Sequence, residues 1–318
     1  MTSSTPAISA ESPRAGASPA RIAVALTLVY VVWGSTYLAM RIALEGFPPL
    51  LMAASRFATA GTALFVGLRL RGVPSPTRAQ WMRSGLIGVL MLTLGNGGVA
   101  IAEQWVASGL AAVVVASVPL WAAVFNGFFE RWPTGRELLG LAVGTAGVLL
   151  LNVGGDFRGQ PLGAAVLLGA SASWALGSVW SRRMDLPRGL MASAAQMLGG
   201  AAALLLLALI HGDRPRVGAM GTPVMAIAYL ALFGSIVAYS AYGYLLRNVS
   251  PTLATSYAFV NPCIAVLLGV GFAHEQIRWT TVMAMAVILG GVALVAAKPR
   301  PAVPRLAKAP PIECDERC

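Results

Sequence analysis

Ten stretches, most of them close to 20 mostly apolar residues long, follow one another along this chain, and their succession limits the fold more than any motif. They run over residues 22–40, 49–68, 85–102, 107–129, 138–151, 162–181, 190–210, 223–246, 252–272 and 279–297. All but the fifth are long enough to cross a hydrocarbon layer of about 30 Å as helices rising 1.5 Å per residue. The fifth is expected to borrow Thr134–Glu137 as an interfacial turn. The gaps carry turn formers such as Phe47-Pro48-Pro49, Gly154-Gly155-Asp156 and Ser250-Pro251, and none is large enough for an enzyme domain. Charged residues are only 11% of the chain, against about 25% in an ordinary soluble domain. The expected fold class is therefore all-α integral membrane, with ten transmembrane helices.

The net charge of +11 raises the question of nucleic acid, but the basic residues sit in the short gaps and form no stripe interleaved with aromatics. The sequence therefore indicates no nucleic-acid partner; topology and a lipid bilayer explain the charge better. Alternate gaps and tails hold 17 Lys and Arg on one side against 5 on the other, with Arg56 inside a span. The positive-inside rule then puts both termini in the cytoplasm, which requires an even number of spans. Residues 1–20, rich in Ser, Ala and Pro, read as a disordered cytoplasmic tail, and 299–318 as a cytoplasmic tail. The apolar run after Arg21 is longer than a signal-peptide core and reads as a retained first span. Cys263 lies in an apolar run, and Cys314 and Cys318 have no His beside them, so no metal site or cofactor is expected.

The chain repeats itself. Trp33-Gly34-Ser35 recurs as Trp174 followed by Gly177-Ser178, and Arg41 as Arg182, at an offset of 141. Pro119 recurs as Pro262 at 143, and Gly147-Val148 as Gly291-Val292 at 144. Residues 21–155 and 156–298 thus read as two five-helix repeats. An odd number of spans in each makes the second enter the membrane from the opposite face. Inverted repeats of this kind recur in transporters, with the substrate near the midplane.

Polar and aromatic residues at helical spacing define stripes inside the spans. The first span carries Trp33, Thr36 and Tyr37; the third, Asn96 and Glu103; the sixth, Ser171, Trp174 and Ser178. The eighth carries Ser235, Tyr239 and Tyr242, and the ninth Tyr257 and Asn261. Such groups avoid lipid and are expected to face the bundle interior and line an amphiphilic substrate cavity. The competing reading is interface anchoring for Trp and Tyr and local backbone bonding for Ser and Thr. Pro119 and Pro262 are expected as paired mid-span kinks, either hinges or static packing bends. Arg56, about 10 Å deep in its span, either binds an anionic substrate group or snorkels outward. Glu130 and Glu275 read as ion-pair partners near Arg131 and Arg278. The small residues Gly140, Gly144, Gly147, Ala286 and Gly290 suit close packing, leaving helices five and ten as a scaffold or a homodimer contact.

Trp33-Gly34-Ser35-Thr36-Tyr37, Phe47-Pro48-Pro49, Arg56-Phe57 and Gly147-Val148-Leu149 resemble the EamA family of the drug/metabolite transporter superfamily. Gly95-Asn96-Gly97, Trp174-Ala175-Leu176-Gly177-Ser178-Val179, Arg247-Asn248-Val249-Ser250-Pro251 and Val260-Asn261-Pro262 look like its YedA-type branch. The resemblance implies a bacterial inner-membrane carrier exporting metabolites or amino acids, and leaves the cargo open. The leading expectation is a secondary transporter of small molecules working by alternating access. An ATP-driven pump is not indicated, because no Walker sequence is present. No catalytic residues stand out; a membrane sensor or assembly subunit and an enzyme acting on lipid-borne substrates are the alternatives.

Overall fold

A computed structural model describes residues 18–105, 111, 114–151, 161–216, 221–273 and 279–296. Among them all regular structure is helical: α1 Pro19–Gly46, α2 Pro49–Leu70, α3 Arg78–Ala102, α4 Val118–Phe129, α5 Gly135–Leu151, α6 Pro161–Ser181, α7 Leu190–His211, α8 Thr222–Asn248, α9 Tyr257–Ala273 and α10 Trp279–Ala296. Seven of these (α1, α2, α3, α6, α7, α8 and α10) are long and apolar enough to cross a membrane, while α4 has 12 residues and α5 and α9 have 17 each. The expected tail 299–318, the turn Gly154-Gly155-Asp156, Glu275, Arg278, Cys314 and Cys318 lie outside the described residues. Helix begins at Pro19, two residues inside the segment expected as a tail.

Local chemistry sets the helix starts. Proline opens α1, α2 and α6, where its missing N–H costs nothing and its fixed φ suits the first turn. Thr77 and Gln80 form a reciprocal capping box at the start of α3. Thr134 and Glu137 cap α5 in a related way, Glu137 accepting from the Thr134 backbone N–H at 2.8 Å and returning a longer bond to its hydroxyl. The expected turn before the short fifth helix is thus present as a cap.

The polarity of the fold is turned outside-in relative to a soluble protein. Leu206, Leu209, Ile210, Met225 and Leu138 are exposed, while Thr36, Arg56, Ser171, Ser178, Gln196, Ser235 and Asn261 are buried. With lipid as solvent, apolar side chains gain nothing from the interior, whereas unsatisfied polar groups outside would cost several kcal/mol each.

The packing partners come in matched sets. α2 lies along α7, and α5 along α10. α1 packs on α8 and α9, and α6 packs on α3 and α4. α3 lies on α7, and α8 on α2. Each contact has a counterpart five helices away. The middle of α3, Val89–Gly97, and the middle of α8, Leu230–Tyr239, both wind as π-helix, a wide turn that appears at functional sites. The small residues of α5 are consumed by the α5–α10 seam. A Cβ on Gly291 would stand 2.5 Å from the Gly144 backbone nitrogen, and one on Gly147 2.7 Å from Ile288 Cγ1. Ala286 and Gly290 instead face outward.

The proline expectation needs correcting. The chain leaves helical geometry at Ala116–Ser117, so Pro119 is the second residue of a new helix and no kink in a continuous one. Pro262 does sit inside α9, but the break in that region comes earlier, at Thr255–Ser256, between the short helix Pro251–Ala254 and α9. Serine and threonine hydroxyls take up carbonyls freed at these breaks: Ser117 bonds Val114 O and Ser256 bonds Leu253 O.

Contacts between helix ends gather at two levels. At one end Arg83 meets Asp185 at 3.2 Å, Arg182 meets Glu130 at 3.4 Å, and Arg182 donates to Val249 O at 2.7 Å. At the other, Arg216 donates to Glu45 O at 3.0 Å and its N–H to Gly46 O. Glu130 thus pairs with Arg182 and not with its neighbour Arg131, which forks onto Glu137 through two bonds of 2.9 Å. The fork holds because the Thr134 cap fixes the carboxylate first.

Candidate functional site

Where α1, α3, α6, α8 and α9 converge, Trp33, Thr36, Asn96, Trp174, Tyr239, Tyr257 and Asn261 border a cavity of about 90 Å3. The two tryptophans meet edge to face, with ring centroids 5.6 Å apart, a favoured geometry for the aromatic quadrupole. Trp33 also meets Tyr257 at 4.6 Å and Tyr242 at 5.2 Å, and donates its indole N–H to Gly234 O at 2.9 Å. Trp174 contacts Tyr242 at 5.8 Å and Tyr239 at 6.3 Å. Glycines make these approaches possible: a Cβ on Gly95 would stand 3.0 Å from the Trp174 ring.

The remaining predicted residues separate from this group. Ser178 and Tyr242 form a layer beside the cavity, bonded to each other at 2.8 Å, with Ser178 also bonding Trp174 O. Thr36 borders the cavity, but its hydroxyl is taken by Trp33 O at 2.7 Å, as the local-bonding reading expected. Glu103 is not with Asn96: it is the residue after the last turn of α3, half-buried and within electrostatic reach of Arg41. The seven-residue spacing misled because it fixes a shared face but also carries about 10 Å along the axis, which takes Glu103 to the end of the helix. The side chain of Tyr37 lies outside the described residues.

Arg56 belongs with the cavity, although it was not counted among the expected site residues. It is 3% exposed, borders the same space, and donates from Nε to Ser235 Oγ at 2.8 Å. Its guanidinium also lies 4.7 Å from the Phe57 ring. Snorkelling toward the interface is therefore excluded; the guanidinium crosses to α8, where Gly234 leaves it room. The sequence signal was present, an arginine well inside an apolar run, but its direction depended on Ser235, which lies 179 residues away.

A larger cavity of about 530 Å3 lies toward the arginine-rich end, bordered by Glu130, Arg182, Arg188 and Arg247. Its inner wall is Gln196, Tyr239 and Tyr242, and Tyr239 borders both spaces. Tyr239 donates to Gln196 Oε1 at 2.8 Å. Tyr239 and Tyr242, each held by a hydrogen bond, thus stand between the smaller cavity and the wider vestibule. Among the described residues, no group of three or more His, Cys, Asp or Glu could hold a metal ion.

Comparison with known proteins gives a consistent placement. The family profile for the EamA-like transporter family matches residues 21–153 and again 161–297. The protein named "Uncharacterized inner membrane transporter YedA" of Escherichia coli (strain K12) is 47% identical over 272 residues, covering 85% of this chain and 89% of that one. "WAT1-related protein At3g02690, chloroplastic" of Arabidopsis thaliana is 30% identical over 281 residues, covering 84% of this chain and 67% of that one. A crystal structure 21% identical in sequence superposes with a TM-score of 0.73, covering 87% of this chain and 96% of the other, which shows a shared fold. The chain belongs to the EamA-like transporter family of the drug/metabolite transporter superfamily.

Proposed function

We propose that the chain is a secondary carrier of the bacterial inner membrane, built as two inverted five-helix repeats over 21–155 and 156–298, that moves small metabolites by alternating access. The observation that carries this reading is the chamber itself: Trp33 and Trp174, from the first helix of each half, meet across it, and one tyrosine layer separates it from a vestibule. The matched packing sets and the double family match support two related halves. The end contacts support the topology, since each joins loops that the basic-residue count assigns to one side. On that assignment both termini are cytoplasmic and the vestibule faces the cytoplasm. The name of the relative YedA supports the inner membrane.

A chamber of this size is well below the usual 300–1,000 Å3 of ligand pockets, which fits a contracted state between openings. Breaking the Tyr239–Gln196 and Tyr242–Ser178 bonds would join chamber and vestibule. The aromatic walls and scattered amides suit amphiphilic cargo, with export of amino acids or drug-like amphiphiles the first case to test. Reconstitution of the full chain in liposomes with labelled amino acids, sugars and organic cations, with and without a pH gradient, tests the reading. Flux of at least one solute, lost in Trp33→Ala and Trp174→Ala proteins that still insert, is the expected result. Flux of none, or tags placing the termini on opposite sides, would overturn it.

A further inference from the structure

Arg56 sets an electrostatic problem that the protein alone does not solve. The guanidinium is buried between α2 and α8, and among the described residues its only hydrogen bond runs from Nε to Ser235 Oγ. No carboxylate among those residues lies within ion-pair distance of it. The sequence helps explain why: among the described residues each Asp and Glu falls in a gap or at the end of a helix. An arginine held out of water without a counter-charge is costly, and mutual attraction to an anion offsets that cost. The Nε–Ser235 bond fixes the plane of the fork, which leaves the two Nη groups for a planar bidentate acceptor. Asn96 and Asn261 bring further unused capacity to the same cavity, since the Oδ1 of each is buried with no hydrogen-bond partner.

We infer that Arg56 receives a carboxylate of the transported molecule, so that the chamber selects small carboxylate-bearing solutes, amino acids among them, over organic cations and neutral analogues. This rests on reading the cavity as the substrate chamber. Ser235 acts as a positioning residue that orients the fork, while the aromatic walls take the apolar body. Asn96 and Asn261 accept from N–H groups of the ligand, which favours an amino acid over a plain acid.

A matched series tests it: 3-phenylpropionate, phenylalanine, 3-phenylpropanamide and 2-phenylethylamine, which share an apolar body and differ in charge. Binding to the full-length protein in nanodiscs is read from tryptophan fluorescence, because Trp33 and Trp174 border the chamber, and from counterflow in liposomes. The two carboxylates are expected to bind and exchange, and the amide and amine to do so at least about tenfold more weakly. Arg56→Gln should remove that preference, Arg56→Lys should restore part of it, and Ser235→Ala should weaken carboxylate binding with the charge still in place. Binding of the amide or amine as tight as that of the acids, or a preference that survives Arg56→Gln, overturns the charge assignment and leaves the chamber reading intact. Failure of every member to bind overturns both. Should Arg56→Gln not fold, the contrast between Arg56→Lys and Ser235→Ala decides.

Discussion

Trp33 and Trp174 stand 141 residues apart in corresponding helices, and each ring meets three other aromatic rings, yet they are held differently. Trp33 hangs on a hydrogen bond to Gly234, whereas Trp174 lies against the bare backbone of Gly95. The divergence is wider between α2 and α7. At the same spacing the counterpart of Arg56 is Met197, and its neighbour Gln196 turns to Tyr239. Packing depends on shape, which a duplicated unit keeps. Polar chemistry depends on single side chains, which each half has changed. One half supplies the buried cation, and the other supplies the acceptor for the Tyr239 hydroxyl.

The comparison is broken most directly at the tryptophans. Trp33→Ala is expected to destabilise by about 3–5 kcal/mol, and Trp174→Ala by about 1 kcal/mol less, the worth of the indole hydrogen bond. Thermal unfolding followed by size-exclusion of the detergent-solubilised protein measures both; the reverse order would show that the bond to Gly234 is not what separates them. The glycines come next. Gly95→Ala sets a Cβ 3.0 Å from a rigid indole, and Gly234→Ala one 2.9 Å from the far end of the Arg56 side chain. Each should cost about 1–3 kcal/mol, with Gly95→Ala the greater and Gly234→Ala the more harmful to carboxylate binding. Equal effects on binding would mean that the guanidinium does not depend on the space at Gly234.

Gln196→Leu removes the strong acceptor for the Tyr239 hydroxyl and leaves it only the 3.7 Å contact with Met91 Sδ, at about 1–3 kcal/mol. A cysteine introduced at Ser171, which borders the chamber, should then react faster with a polar thiol reagent added from the arginine-rich side. An unchanged rate would remove this bond from the closure. The smallest effect is expected for Arg83→Ala, whose exposed pair with Asp185 joins the two halves at the surface: about 0–1 kcal/mol by the same unfolding measurement.

Much of this was legible in residue order. Apolar length and turn formers located the helices, and the recurrence of Trp33 at Trp174 located the two rings that meet. What stayed hidden was decided by contacts far apart in sequence or by backbone winding. Arg56 could point to either place until Ser235 and Gly234 on α8 fixed its direction. The spacing of Asn96 and Glu103 marked a shared face but not a shared depth, and Glu103 lies past the last turn of α3. At Pro119 the chain breaks at Ala116–Ser117 directly before the ring instead of bending a continuous helix, and where the break falls depended on the turn just ahead of it.

The seam between α5 and α10 bears on how any such machine can move. There Gly144 and Gly291 bring the two backbones together, with Ile288 and Val295 packed against Gly147 and Gly140 on either side and little slack to give up. Prying that line apart would open a crevice that neither lipid nor water fills well. On the proposed alternating-access reading, a rearrangement that joins chamber to vestibule would pivot about this edge like a door on its jamb, with the travel borne by the helices farther from it.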